Sequence, residues 1–147
     1  MKVYLDVCCL CRPFDDQTQS RIRLESEAVL ATLDECLGGG LTWISSDAIE
    51  EEVLHDPEAN RKGRVLRILK FAAERVAMSP QVRTLALEFH ARGLQPIDSL
   101  HLASAEIAGC DVLLTTDDSF QRIANRIEPR SGVRVENPLR WWMERQP

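Results

Sequence analysis

The sequence has no long apolar run, few aromatic residues and almost no lysine, and each shortage excludes something. The opening apolar stretch at residues 3–10 is interrupted by Asp6 and followed by Arg12 and Pro13. It is too short for a bilayer span or an export signal, so a cytoplasmic protein with no membrane partner is expected. Aromatic residues make up 5% of the chain, too few to stack the successive bases of a single strand. The 7 glycines and 7 prolines are far from a collagenous or low-complexity composition, and no internal repeat or linker is visible. Five cysteines form no regular framework, which fits a reducing compartment and free thiols. The three histidines, His55, His90 and His101, have no spacing that would build a zinc site with them.

What is present describes one globular domain spanning residues 1–147, with 44% hydrophobic residues and enough chain to close a core by packing alone. The formal charge of -5 argues against a strongly basic scaffold, although 15 of the 18 cationic residues are arginine, the side chain suited to forked phosphate contacts. Short β-rich runs are expected at residues 3–5, 41–44, 75–78, 111–115 and 133–135. Between them, helical spacing predicts helices over residues 20–37, from Ser46 to Leu54, over 61–74, 80–91, 96–109 and 118–126, and a last one from Pro138. In the first, Ile22, Leu24, Val29, Leu30 and Leu33 form the expected apolar face. Short strands separated by helices imply an α/β fold, a mainly parallel sheet with helices on both faces, because parallel neighbours require crossovers.

In such a sheet, sites collect beyond the carboxyl ends of the strands. Asp6 follows the first strand directly, and Asp117 follows the buried run at 112–115, so these two carboxylates should be neighbours. Asp98 lies in the first turn of the helix opened by Pro96, and Glu52 in the first two turns of the helix capped near Ser46. Taken singly, an acid at a helix start is more often a cap or a dipole partner than a ligand. Asp6 differs, since no helix is expected immediately after it. Among Glu50, Glu51 and Glu52, the buried side defined by Ile49 and Val53 lies nearest Glu52, with Glu51 as the alternative.

These landmarks together resemble the PIN-domain nucleases, which include the VapC-type toxins of bacterial toxin–antitoxin modules. The resemblance rests on Val3-Tyr4-Leu5-Asp6, the helix start from Ser46 to Glu52, Pro96-Ile97-Asp98-Ser99-Leu100-His101-Leu102-Ala103, and Leu114-Thr115-Thr116-Asp117-Asp118-Ser119-Phe120. It implies a three-layer α/β/α sandwich in which Asp6, Glu52, Asp98 and Asp117 bind Mg²⁺ or Mn²⁺ and cleave RNA. It also implies an antitoxin partner and a homodimer. Where the family often has Ser or Asn after its first acid, this chain has Val7, Cys8 and Cys9, and thiols donate weakly, so the support of the site is expected to be either looser or built differently.

Clustered acids repel, and a divalent ion relieves that repulsion; all-oxygen ligation favours Mg²⁺ or Mn²⁺ over zinc. His101, three residues after Asp98, either orients an acid or is an ordinary histidine on a helix face, and neighbour spacing favours the second. Arg12, Arg61, Lys62 and Arg64 are the candidate RNA contacts, against the plainer reading of a solvated helix face. With so few aromatics, recognition of RNA shape or backbone is expected over base stacking. Two other function classes compete. Cys8 and Cys11 have the Cys-x-x-Cys spacing of a thiol redox protein, and the same fold can serve as a catalytically silent interaction module. A phosphate-receiver domain also puts acids at strand ends but needs a lysine late in the chain, and lysine occurs only at Lys2, Lys62 and Lys70.

Overall fold

In the computed structural model, which describes residues 1–127 and 132–147, the chain forms a five-stranded sheet in the order β3-β2-β1-β4-β5, every neighbouring pair parallel. The strands are β1 (Lys2–Leu5), β2 (Thr42–Ser46), β3 (Glu74–Val76), β4 (Val112–Leu114) and β5 (Arg134–Glu136). The helices are α1 (Val7–Cys11), α2 (Ser20–Leu37), α3 (Asp47–Leu54), α4 (Ala59–Leu69), α5 (Pro80–Ala91), α6 (Pro96–Ile107), α7 (Asp118–Arg126) and α8 (Pro138–Arg145). Helices cover both faces, giving the three-layer α/β/α sandwich. The order of strands reverses at β1: the chain first winds outward through β2 and β3, then returns to the other side of β1 for β4 and β5. The crevice beyond the carboxyl ends of β1 and β4 is therefore the topological switch point, where parallel sheets place their sites.

Local chemistry explains most boundaries. Ser46 accepts from the Ile49 amide at 3.0 Å and starts α3, while Ser79 caps α5 with Pro80 at its first position. Gly39, at φ 85, follows the end of α2 in a backbone region where a side chain would be strained. β1 is the hydrophobic centre, with Val3, Tyr4 and Leu5 all buried. The outer strands β3 and β5 have three residues each and carry Glu74, Arg75, Arg134 and Glu136.

Four expectations are corrected. A helix does begin at once after Asp6: α1 is a five-residue helix whose first amide, Val7, donates to the Asp6 carboxylate at 2.8 Å. The third strand, expected at 75–78, is Glu74–Val76, and the helix before it stops at Leu69. The second strand runs on to Ser46. On α2, Leu24 and Leu30 are exposed, whereas Glu25 is buried.

Glu25 is buried because cations and an amide enclose it. Its carboxylate accepts from Arg12 Nε and Nη2 at 3.0 and 2.8 Å, from Arg21 Nε at 3.2 Å and from Asn137 Nδ2 at 2.5 Å. This joins α2 to the turn after α1 and to the start of α8, whose first amides Asn137 caps. Arg12 is thereby committed to the interior, with its remaining nitrogen on Asp15 at 3.1 Å. Removing a buried acid from its cations leaves the cations uncompensated. Glu25→Ala should cost about 3–5 kcal/mol, measured by urea unfolding, whereas loss of Arg21, which is half exposed, should cost no more than about 1 kcal/mol.

Candidate active site

Asp6 continues β1 into the switch-point crevice, and its amide still pairs with the Leu114 carbonyl at 3.0 Å. One carboxylate oxygen takes the Val7 amide. The other accepts the Thr115 hydroxyl at 2.8 Å and lies 3.3 Å from the Cys8 thiol. Thr115 Oγ1 also receives the Asp117 amide at 3.1 Å, so a single hydroxyl ties the first acid to the backbone of the last. The support that Cys8 provides only weakly as a donor is thus supplied by Thr115, a role that the sequence reading did not assign. Its signal was a hydroxyl at the end of a buried strand, two residues before an acid.

The three consecutive glutamates separate clearly. Glu50 pairs with Arg75 at 2.7 Å, Glu51 is exposed on the side of His55, and Glu52 turns inward to His101 Nε2, also at 2.7 Å. The plainer reading of His101 as a histidine on an open helix face is wrong. Its ring is fully buried, with Nδ1 2.8 Å from the Tyr4 hydroxyl and Nε2 3.6 Å from Asp6. The hint was its position within Leu100-His101-Leu102-Ala103, where a side chain beside Leu102 in a buried helix cannot easily reach water. Ligand atoms of Asp6, Glu52 and His101 all lie within 4.8 Å of one another.

Asp98 and Asp117 complete the charge distribution. Asp98 is half-buried in the first turn of α6. Burial, followed by the charges of Asp6 and Asp117, pushes its carboxyl up to about 7. Asp117 is exposed; its Oδ1 caps α7 through the amides of Ser119 and Phe120 at 2.9 and 3.2 Å, which leaves its second oxygen outside the cap. His101 responds in the opposite sense to its surroundings. Burial disfavours a charge on the ring, but the hydrogen bond to Glu52 and the charges of Asp6, Glu52 and Asp98 outweigh it and raise its pKa. The excess of negative charge, together with carboxylate oxygens already fixed by backbone amides and a hydroxyl, fits a hard divalent cation. His101 Nε2 is occupied by Glu52, which makes the imidazole a holder of a carboxylate more than a ligand.

The other candidate residues lie in different surroundings. Arg61 forks onto Asp56 at 2.6 and 2.8 Å, while Arg64 on the same helix is exposed and Lys62 half-buried. All five cysteines are free thiols. Burial pushes the Cys11 thiol up to about 11 and raises Cys9 as well, the reverse of the lowered pKa that activates a redox cysteine.

Comparison with known proteins agrees with this geometry. The sequence model of the PIN domain matches residues 3–126. No curated protein matches the chain. Among solved structures, a chain from the crystal structure of VapBC2 from Rickettsia felis, bound to a DNA fragment from their promoter, superposes with a TM-score of 0.59 at 16% identity, covering 92% of this chain and 98% of that one. At that identity the likeness concerns the fold.

The raised carboxyl of Asp98 has a consequence for stability. From its ordinary value of 3.8 to about 7, the folded state holds a proton that the unfolded state has lost, so the contribution of Asp98 to folding stability is fully present at low pH and is lost as pH rises through this window. With a chelator present, unfolding midpoints measured from pH 4 to 8 should show this decline. Asp98→Asn should flatten it and be the more stable protein at pH 8.

Proposed function

Because the chain belongs to the PIN-domain family, we propose that it is a nuclease: a divalent-metal-dependent endoribonuclease that hydrolyses RNA phosphodiester bonds and serves as the toxin of a toxin–antitoxin module. The observation that carries this reading is the convergence of Asp6, Glu52 and His101 ligand atoms within 4.8 Å at the switch point, beside Asp98, whose carboxyl is raised by burial and by the charges of Asp6 and Asp117. Asp6, Glu52, Asp98 and Asp117 are the residues that would hold Mg²⁺ or Mn²⁺. Such an ion, when bound, lowers the pKa of a water and offsets charge developing on the phosphate.

The chain's own groups do the rest. The Val7 amide and the Thr115 hydroxyl fix Asp6, His101 fixes Glu52, and the cap of α7 fixes Asp117. Three of the four carboxylates are thus held before substrate arrives, which reduces the reorganisation left for the reaction. RNA must approach this acidic crevice on cations elsewhere. Lys62 and Arg64 of α4 are the contacts favoured here, since Arg12 and Arg61 already serve Glu25 and Asp56. The thiol redox alternative is not favoured by the raised Cys11 thiol. We further propose an antitoxin protein as partner, a homodimer as the working assembly and a cytoplasmic location. Among the described residues, no helix is long and apolar enough to cross a membrane.

Purified protein should cleave RNA with Mg²⁺ or Mn²⁺ and stop when a chelator is added. Asp6→Asn should lower the cleavage rate at least about a hundredfold, on the scale typical for loss of a charge-stabilising group, with the far-UV circular dichroism unchanged; undiminished cleavage would refute the assignment. Glu52→Gln should impair cleavage far more than Glu50→Gln, whose partner is Arg75. Replacing Lys62 and Arg64 by Ala should weaken RNA binding and reduce the slope of log affinity against log salt by roughly 1–2, while the rate at saturating RNA is retained. An unchanged slope would return both residues to a solvated helix face.

A further inference from the structure

Tyr4 is the only tyrosine in the sequence, and it lies at 0% exposure in the middle of the central strand. Its hydroxyl is 2.6 Å from Ser46 Oγ on one side and 2.8 Å from His101 Nδ1 on the other. Ser46 and His101 are themselves fully buried. Three polar groups so placed are tolerable only if each donor and acceptor finds a partner, and that requirement determines the direction of the chain of hydrogen bonds.

Ser46 Oγ accepts the Ile49 amide, and among the described contacts the Tyr4 oxygen is the one acceptor within reach of its own proton, which therefore goes there. The Tyr4 proton then goes to Nδ1. A neutral imidazole that accepts at Nδ1 carries its proton on Nε2, where it donates to Glu52 Oε1 at 2.7 Å. Reversal fails at both ends: Nε2 would oppose the Glu52 oxygen with a lone pair, and the Ser46 proton would have no acceptor among the described contacts. Burial keeps the Tyr4 phenol protonated far above neutral pH, so the donor is always available.

We propose that Tyr4 and His101 are positioning residues: a buried, one-way chain from Ser46 through Tyr4 and His101 sets the imidazole tautomer and thereby fixes the Glu52 carboxylate beside Asp6. His101 holds Glu52 whatever the charge of the ring, because Nε2–H donates in either state, whereas the direction set by Tyr4 concerns the neutral ring. What Tyr4 decides is that the neutral ring keeps that proton. Without the hydroxyl, Nδ1 faces hydrocarbon, the two tautomers become comparable, and the one protonated at Nδ1 repels Glu52 out of the crevice. The geometry stands without any ion, whereas its consequence for ion binding rests on the reading of Asp6 and Glu52 as metal holders.

Two measurements test it. On ¹⁵N-histidine-labelled wild-type protein, at a pH above the ring's titration as followed in the same spectra, the His101 resonances, identified by their loss in His101→Gln, should show a protonated Nε2 and an unprotonated, accepting Nδ1. The opposite tautomer overturns the proposal. In calorimetric titration with Mn²⁺ at that same pH, Tyr4→Phe should bind about 10–100-fold more weakly than wild type, the usual range when the orienting partner of a ligand is lost. Val82→Ala, a truncation in the buried face of α5 that leaves the chain untouched, should lower thermal stability without changing Mn²⁺ affinity. A folded Tyr4→Phe protein with wild-type Mn²⁺ affinity overturns the proposal. If the wild type itself binds no Mn²⁺, the metal reading of the site falls, and the tautomer measured on the unmodified protein decides the chain alone.

Discussion

Repulsion among carboxylates at the end of the central strand is the constraint to which the surrounding structure responds. Asp6, Glu52, Asp98 and Asp117 come from four different segments, and burial together with the charges of Asp6 and Asp117 drives the Asp98 carboxyl up to about 7. Three of these acids are held by something other than their neighbours, while the fourth, Asp98, keeps its proton more tightly instead. Here the holders are a backbone amide and a hydroxyl for Asp6, an imidazole for Glu52 and two helix-start amides for Asp117. Hydrogen bonds to ionised groups are the stronger ones, so the same contacts that localise the charges also stabilise them.

A second acidic centre solves the problem differently. Glu25 is nearly inaccessible to solvent, yet it is surrounded by Arg12, Arg21 and Asn137 and its charge is neutralised locally. Arg21 continues from there to Asp118 at 2.8 Å and to the Thr116 carbonyl at 3.2 Å. The loop that carries Asp117 is thus fastened from outside as well as by Thr115 within. The crevice has an unbalanced charge while its frame is balanced, and this contrast separates a place suited to a cation from a structural ion-pair cluster.

Much of the architecture was legible because its boundaries are written in residues with local effects. Pro80, Pro96, Ser46 and the three glycines after Leu37 mark helix ends through backbone geometry and capping, which act within a few residues. The carboxyl-end placement of Asp6 and Asp117 followed from their positions just after apolar strand runs. The failures have a common cause. α1 was missed because five residues show no helical period, and its start depends on one capping bond from Asp6. Leu24 and Leu30 were taken for core while Glu25 was not, because hydrophobicity ranks a lone carboxylate and cannot register arginines brought to it by the turn after α1 and the preceding helical turn. His101 was underrated for the same reason: its partners Tyr4 and Glu52 are 97 and 49 residues away in sequence.

The shortness of the outer strands has an implication for assembly. An open sheet exposes a row of unpaired amides and carbonyls along each margin, and such margins invite strand addition by other chains. Here each margin has only three residues and bears charge, Glu74 and Arg75 on β3, Arg134 and Glu136 on β5, with Arg134 locked by Glu136 and Glu144. Main-chain zippering therefore has little length in which to gain affinity and must desolvate ions to begin. Edge-to-edge strand addition is thereby disfavoured, and the helices that cover both faces present the broader surface for contact.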